Sequence, residues 1–68
     1  MEEKGIVKLF NEVRGWGFIT RENGEEILVR FSEIRPEESP PILRQGDYVS
    51  FEVAHGRDGL EAKNVTLA

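Results

Sequence analysis

Short runs of alternating hydrophobic and polar residues, separated by glycine- and proline-containing breaks, fill this chain, and no stretch supports a helix of useful length. The alternation is cleanest over Asp47–Ala54, where Val49, Phe51 and Val53 point inward and Ser50 and Glu52 outward. Glu26–Phe31 behaves alike: Ile27 and Val29 go inward, Leu28 and Arg30 outward, and Phe31, at the strand's end, is free to turn either way. Ile6–Phe10 is apolar on both parities apart from Lys8, the pattern of a long bent strand whose two halves serve two sheets. Gly15–Arg21 and Leu60–Thr66 complete a set of five strands, with Val65 the core residue expected of the last. Ser32-Glu33-Ile34 predicts one helical turn, with Ser32 placed to cap it, and Arg35–Pro41 holds all three prolines and predicts a loop. The fold class is all-β. Closing the strands into a barrel covers the edges that so small a sheet would otherwise expose.

The turn after the second strand fixes a register. A two-residue Asn23-Gly24 turn would set Phe18 opposite Val29 and so put an outward ring against an inward aliphatic. A three-residue loop, Glu22-Asn23-Gly24, with Gly24 in the left-handed conformation, pairs Phe18 with Leu28, Trp16 with Arg30, Ile19 with Ile27 and Arg21 with Glu25. Every pair then agrees on its face, so the three-residue loop is expected. Gly56-Arg57-Asp58-Gly59 predicts a second glycine-rich turn.

Within this frame the stretch Arg14-Gly15-Trp16-Gly17-Phe18-Ile19 is unusual. Trp16 and Phe18 share one face of the strand, and Gly15, Gly17 and Ile19 share the other. Neighbouring rings on an open sheet face suit a ligand with flat apolar faces, and the bases of unpaired nucleic acid are such a ligand. The competing reading makes the rings core and the glycines a device for bending the strand; Ile19 and its aliphatic partners are the better core, which favours binding.

Composition narrows the classes. The chain has 68 residues, so one domain spanning 1–68 is expected, near the lower limit for folding unaided. No cysteine is present, which excludes disulfides and thiolate zinc sites and agrees with a cytoplasmic placement. The polar, acidic start Met1-Glu2-Glu3-Lys4 does not resemble a signal peptide, and no apolar run is long enough for a membrane span. The net charge of −4 argues against nucleic acid, but Lys8, Arg14 and Arg30 fall near the aromatic stretch while Glu2-Glu3, Glu25-Glu26, Glu33 and Glu37-Glu38 fall at strand ends and loops. A local basic face on an acidic body is the expectation. No catalytic residue, metal site or cofactor is assigned. His55, the sole histidine, sits beside a glycine turn without a nearby nucleophile, and the glutamate pairs lack the spacing of a cation loop. Tyr48 is left open between a strand-edge packing role and an extra stacking surface.

The motifs Gly5-x-Val7-Lys8-x-Phe10-Asn11, Gly15-Trp16-Gly17-Phe18-Ile19, Val29-x-Phe31-Ser32-x-Ile34, Gly46-x-x-Val49-x-Phe51 and Ala62-x-Asn64-Val65, in this order and over nearly the whole chain, resemble a bacterial cold-shock domain. The resemblance implies a five-stranded antiparallel Greek-key barrel of the oligonucleotide-binding (OB) type. It also implies binding of single-stranded RNA or DNA with low sequence specificity, through two ribonucleoprotein-type motifs falling on Arg14–Ile19 and Ile27–Phe31. Lys8, Trp16, Phe18 and Phe31 match family positions that contact nucleic acid. Trp16 stands for a Phe or Tyr, Arg14 for a Lys, Leu9 for a surface Trp, Leu28 for a Phe and Arg30 for a His, and the loop around Ser39-Pro40 lacks a Phe often found there. With Asn11 and a marginal phosphate contact at Arg57, opposed by Asp58, the expected interface is Lys8, Leu9, Asn11, Arg14, Trp16, Phe18, Leu28, Arg30, Phe31 and Arg57. The expected partner is single-stranded RNA or DNA, not a membrane, and the expected state is a monomer, a strand-swapped dimer being the alternative. A protein-interaction module on the same fold, with Leu9, Leu28 and Trp16 as an apolar patch, is the second reading.

Overall fold

The computed structural model of the chain describes residues 2–35, 43–57 and 59–68. Five strands, β1 (Glu2–Asn11), β2 (Trp16–Arg21), β3 (Glu26–Arg30), β4 (Tyr48–Gly56) and β5 (Gly59–Leu67), close into a barrel in the order β1-β2-β3-β5-β4. A 3₁₀ turn, Phe31–Glu33, follows β3. The seams β1/β2, β1/β4, β2/β3 and β4/β5 are antiparallel, whereas β3/β5 is parallel. The expectation of an antiparallel barrel holds for every seam but that one, and the exception is geometrically required. Directions cannot alternate all the way round a closed ring with an odd number of strands, so one neighbouring pair must run the same way.

The interior is built from the alternating positions. Ile19, Val29, Val49 and Val65 are fully enclosed, with Val7, Phe51, Ala62, Ile27, Ile34 and Leu43 packed beside them. Each fully buried Val, Ile or Phe contributes roughly 1.5–3 kcal/mol by leaving water. The three-residue loop between β2 and β3 forms as expected. Gly24 has φ 92°, and the pairs Trp16–Arg30, Phe18–Leu28 and Ile19–Ile27 are in register. At the end of that hairpin the Arg21 N–H donates to the Glu25 carbonyl at 2.7 Å. The Arg21 guanidinium there bridges Glu25 to Glu3 of β1, and the hydrogen bond to Glu3 above all raises its pKa still further beyond the ordinary arginine value.

Three local expectations are corrected. Ser50 is only 6% exposed rather than outward in water; it lies between Lys4 of β1 and Thr66 of β5, and a small side chain flanked on both sides is covered by its longer neighbours. Ser32 does not cap a helical turn. The turn starts one residue earlier, directly from the extended Arg30, and makes no side-chain cap; its closing bond is the Ile34 N–H to the Phe31 carbonyl. β1 begins at Glu2, well before Ile6, because Glu2–Ile6 pairs with Tyr48–Glu52 of β4. The loop expected over Arg35–Pro41 lies, beyond Arg35, outside the described residues, as does Asp58 of the last turn.

At Gly17 the backbone of β1 leaves no room for a side chain, which would strike the Leu9 carbonyl oxygen and approach the Phe10 Cα to 2.6 Å. Both are backbone atoms of β1 and cannot swing aside. Gly17→Ala is therefore expected to cost about 3 kcal/mol in urea unfolding. Gly24→Ala, where the space is open and only the positive φ is strained, is expected to cost about 1 kcal/mol.

Candidate nucleic-acid interface

The alternation that buries Ile19 and Val29 places their neighbours on the outer surface, and the register aligns these into two rows. One row runs Leu9–Phe18–Leu28–Glu61 across β1, β2, β3 and β5; the next runs Asn11–Trp16–Arg30. β1 joins the surface through a bulge. Val7 pairs with Ile19 and Leu9 with Phe18, leaving Lys8 as the extra residue. The bulge shifts parity, so Val7 is buried while Lys8 and Leu9 both face out and Phe10 returns to pack on the core.

The rings are held in distinct attitudes. Trp16, 37% exposed, and the partly buried Phe18 meet edge to face, with centroids 5.7 Å apart and planes at 87°. A base lying flat on one ring therefore meets the other edge-on, so the pair offers two separate contacts rather than one continuous shelf. Phe31, 55% exposed, resolves outward, and its ring lies against Gly15, where a Cβ would come within 2.7 Å of Cδ1. Gly15 also has φ 80°, and its carbonyl accepts the Phe31 N–H at 2.8 Å, so the β1–β2 turn and the end of β3 are tied together beneath the ring. Asn11 shapes that turn: its Oδ1 accepts the N–H of Val13 and of Arg14.

The charges are less free than their positions suggest. Lys8 Nζ lies 2.5 Å from Glu26 Oε2, with both side chains exposed. Arg30 Nε donates to Glu61 Oε1 at 3.3 Å, and Lys63 Nζ is 3.9 Å from the same oxygen. Arg14 is exposed and has no ion pair among the described residues. Between β2, β3 and β5 lies an open groove of about 760 Å³ lined by Trp16, Phe18, Leu28, Leu60, Arg30 and Glu61, with Glu25, Glu26 and Ile27 at its side.

Comparison with known proteins places this geometry. The family model described as the 'cold-shock' DNA-binding domain matches residues 3–68. The chain belongs to the cold-shock domain family. It is 46% identical over 66 residues to cold shock protein CspC of Bacillus subtilis, covering 97% of this chain and 98% of that protein. It is 47% identical over 62 residues to cold shock-like protein CspG of Shewanella violacea, covering 90% and 87%. To the major cold shock protein of Streptococcus pyogenes it is 40% identical over 63 residues, covering 93% and 92%.

In this cold-shock domain the sequence-derived positions Leu9, Asn11, Trp16, Phe18, Leu28 and Arg30 fall on two adjacent rows, and Lys8 and Phe31 border them. Arg14 lies in the β1–β2 turn, and Arg57 stands exposed in the β4–β5 turn without a hydrogen bond or ion pair among the described residues. Glu61 and Leu60 of the groove wall escaped sequence reasoning. Glu61 occupies an outward-facing position that only the parallel β3/β5 seam brings beside Leu28, and nothing local signals that pairing. Glu25 and Glu26, read as solubilising charge, also line the groove.

The two ion pairs differ in how much water they exclude. Glu26→Gln, at an exposed pair, is expected to change stability by less than about 0.5 kcal/mol. Arg30→Ala strips the buried Glu61 of its nearer cation and is expected to cost about 1–2 kcal/mol, less than a fully enclosed pair because Arg30 is itself half exposed. Urea unfolding of the two variants distinguishes them.

Proposed function

We propose that this cold-shock domain binds single-stranded RNA or DNA with low overall sequence specificity by stacking unpaired bases on Trp16, Phe18 and Phe31. Leu9, Asn11 and Leu28 complete the contact surface, Lys8, Arg14 and Arg30 lie beside the phosphates, and Arg57 adds a marginal contact. The observation that carries this reading is the pair of in-register rows, which gathers aromatic, apolar and basic residues on one outer face of a barrel already filled by other side chains. Holding strands that are unpaired shifts RNA away from self-pairing without an energy source, which is the action of a passive RNA chaperone in the cytoplasm. The protein acts as a monomer in this proposal; the closed barrel supports it, and the short parallel seam, Leu28–Glu61 and Val29–Ala62, is where a strand-swapped dimer would have to open.

Affinity is expected below the family norm. Leucines stand at two aromatic positions, each base–ring stack is worth roughly 1–3 kcal/mol, and Lys8 and Arg30 must exchange a carboxylate for a phosphate. The acidic groove and the exposed Leu9 favour the second reading, a protein-contact patch on the same barrel.

Trp16, the only tryptophan, reports on both. Oligothymidine is expected to quench its fluorescence at low salt, and Phe18→Ala to weaken binding by about 1–3 kcal/mol. Log affinity is expected to fall with log salt at a slope of about −2 when three cations meet phosphates. A flat salt dependence contradicts the basic roles, and no quench at low salt favours the protein-contact reading.

A further inference from the structure

Glu61 is the one acidic side chain in the groove that is withdrawn from water, 4% exposed, while the surface it borders is the one assigned to bases. Its burial is built into the fold. The side chain crosses from β5 to lie over Gly56 of β4, occupying the space that a side chain at position 56 would need. Oε1 is held by Arg30 and faces Lys63, and Oε2 has no hydrogen-bond partner among the described residues. On the other side, Arg30 spends only its Nε on Glu61, which leaves its terminal N–H groups without a partner among the described residues. The pair thus sets an enclosed acceptor next to the half-exposed donors of Arg30, at the end of the Leu9–Phe18–Leu28 row and across from Trp16.

We propose that the Arg30–Glu61 pair makes one subsite of this surface selective for guanine. The proposal rests on the stacking reading above, adds base choice to it, and moves Arg30 from the phosphates to a base edge, which leaves Lys8 and Arg14 as the main phosphate contacts. A carboxylate is acceptor-only, so it is best satisfied by two adjacent donors. Guanine alone among the four bases presents them, N1–H beside the 2-amino group, with O6 as an acceptor next to N1–H for the Arg30 guanidinium. Uracil and thymine flank their single N3–H with two carbonyl oxygens, which a carboxylate repels. Adenine and cytosine offer an amino group beside a ring nitrogen that accepts, so only one carboxylate oxygen is served. Glu25 and Glu26 at the side of the groove act in the same direction, since they disfavour a phosphate there and leave the subsite to a base edge. A base that leaves Oε2 without a donor forfeits the interaction and retains the desolvation cost.

The test is a Trp16 fluorescence titration of the intact protein with uridine heptamers carrying guanosine, inosine, adenosine, cytidine or uridine at the central position. The guanosine heptamer is expected to bind about tenfold more tightly than all-uridine. Inosine, which lacks the 2-amino group, is expected between them, and Glu61→Gln is expected to bring the guanosine-to-uridine ratio near one. The inosine comparison needs no variant, so it stands even where Glu61→Gln fails to fold; Gly56→Ala, which displaces the carboxylate, is a second way to lose the ratio. Quenching by all heptamers with equal affinity, or a preference for adenosine or cytidine, overturns guanine selection while leaving the stacking reading intact. The absence of quenching with every heptamer instead removes the stacking reading on which the inference depends.

Discussion

Strand alternation is the constraint from which the functional surface follows. Ile19 and Val29 are completely enclosed in a barrel whose interior is already occupied by Val7, Val49, Phe51 and Val65, so there is no room inside for a tryptophan and a phenylalanine as well. Turning Trp16 and Phe18 inward would slip β2 by one residue and turn Ile19 out of the core. The exposed rings are therefore not a tolerated defect of packing. They are the other half of a register that the core enforces, and Gly17, where the backbone of β1 leaves no space for a Cβ, closes the same seam. Where β1 must serve both purposes, the bulge at Lys8 lets Val7 stay in the core while Leu9 joins the rings.

Electrostatics set the limits of what this surface does. A chain with a net charge of −4 has no broad positive field to draw in a polyanion, and of Lys8, Arg14 and Arg30, the basic residues proposed for the interface, Lys8 and Arg30 are engaged by glutamates. In the proposed binding mode a phosphate displaces the Glu26 carboxylate from Lys8, and the larger share of affinity falls to the rings. The two pairs are unequal partners in that exchange. Lys8–Glu26 stands in water and separates at little cost, whereas Glu61 is enclosed, which is why the role proposed for Arg30 is at a base edge rather than at a phosphate.

Much of this was legible before any coordinates, because it depended on neighbours in sequence. The β2–β3 register followed from demanding that Phe18 and Leu28, and Ile19 and Ile27, agree on a face, and those pairs form. What sequence could not supply was set by contacts between distant segments. Glu2–Lys4 look like a polar terminus and become strand only because β4 lies alongside. Ser50 looks outward-facing and is covered only because Lys4 and Thr66 flank it. Glu61 looks solvated and is enclosed only because the ring closes by a parallel seam and Gly56 leaves space for its side chain. In each case the environment of a polar residue is decided by a strand far away in the chain.

The central claim is that unpaired bases lie directly on the rings of β2 and the end of β3. The most direct measurement is the proton NMR spectrum of the Trp16, Phe18 and Phe31 side chains with and without a short oligouridine. Stacking predicts upfield ring-current shifts at all three side chains, with contacts from their ring protons to base protons. Unmoved ring signals, with the changes centred instead on Ile6, Tyr48 and Leu67, exposed apolar residues of β1, β4 and β5 outside the two rows and the groove, would contradict it.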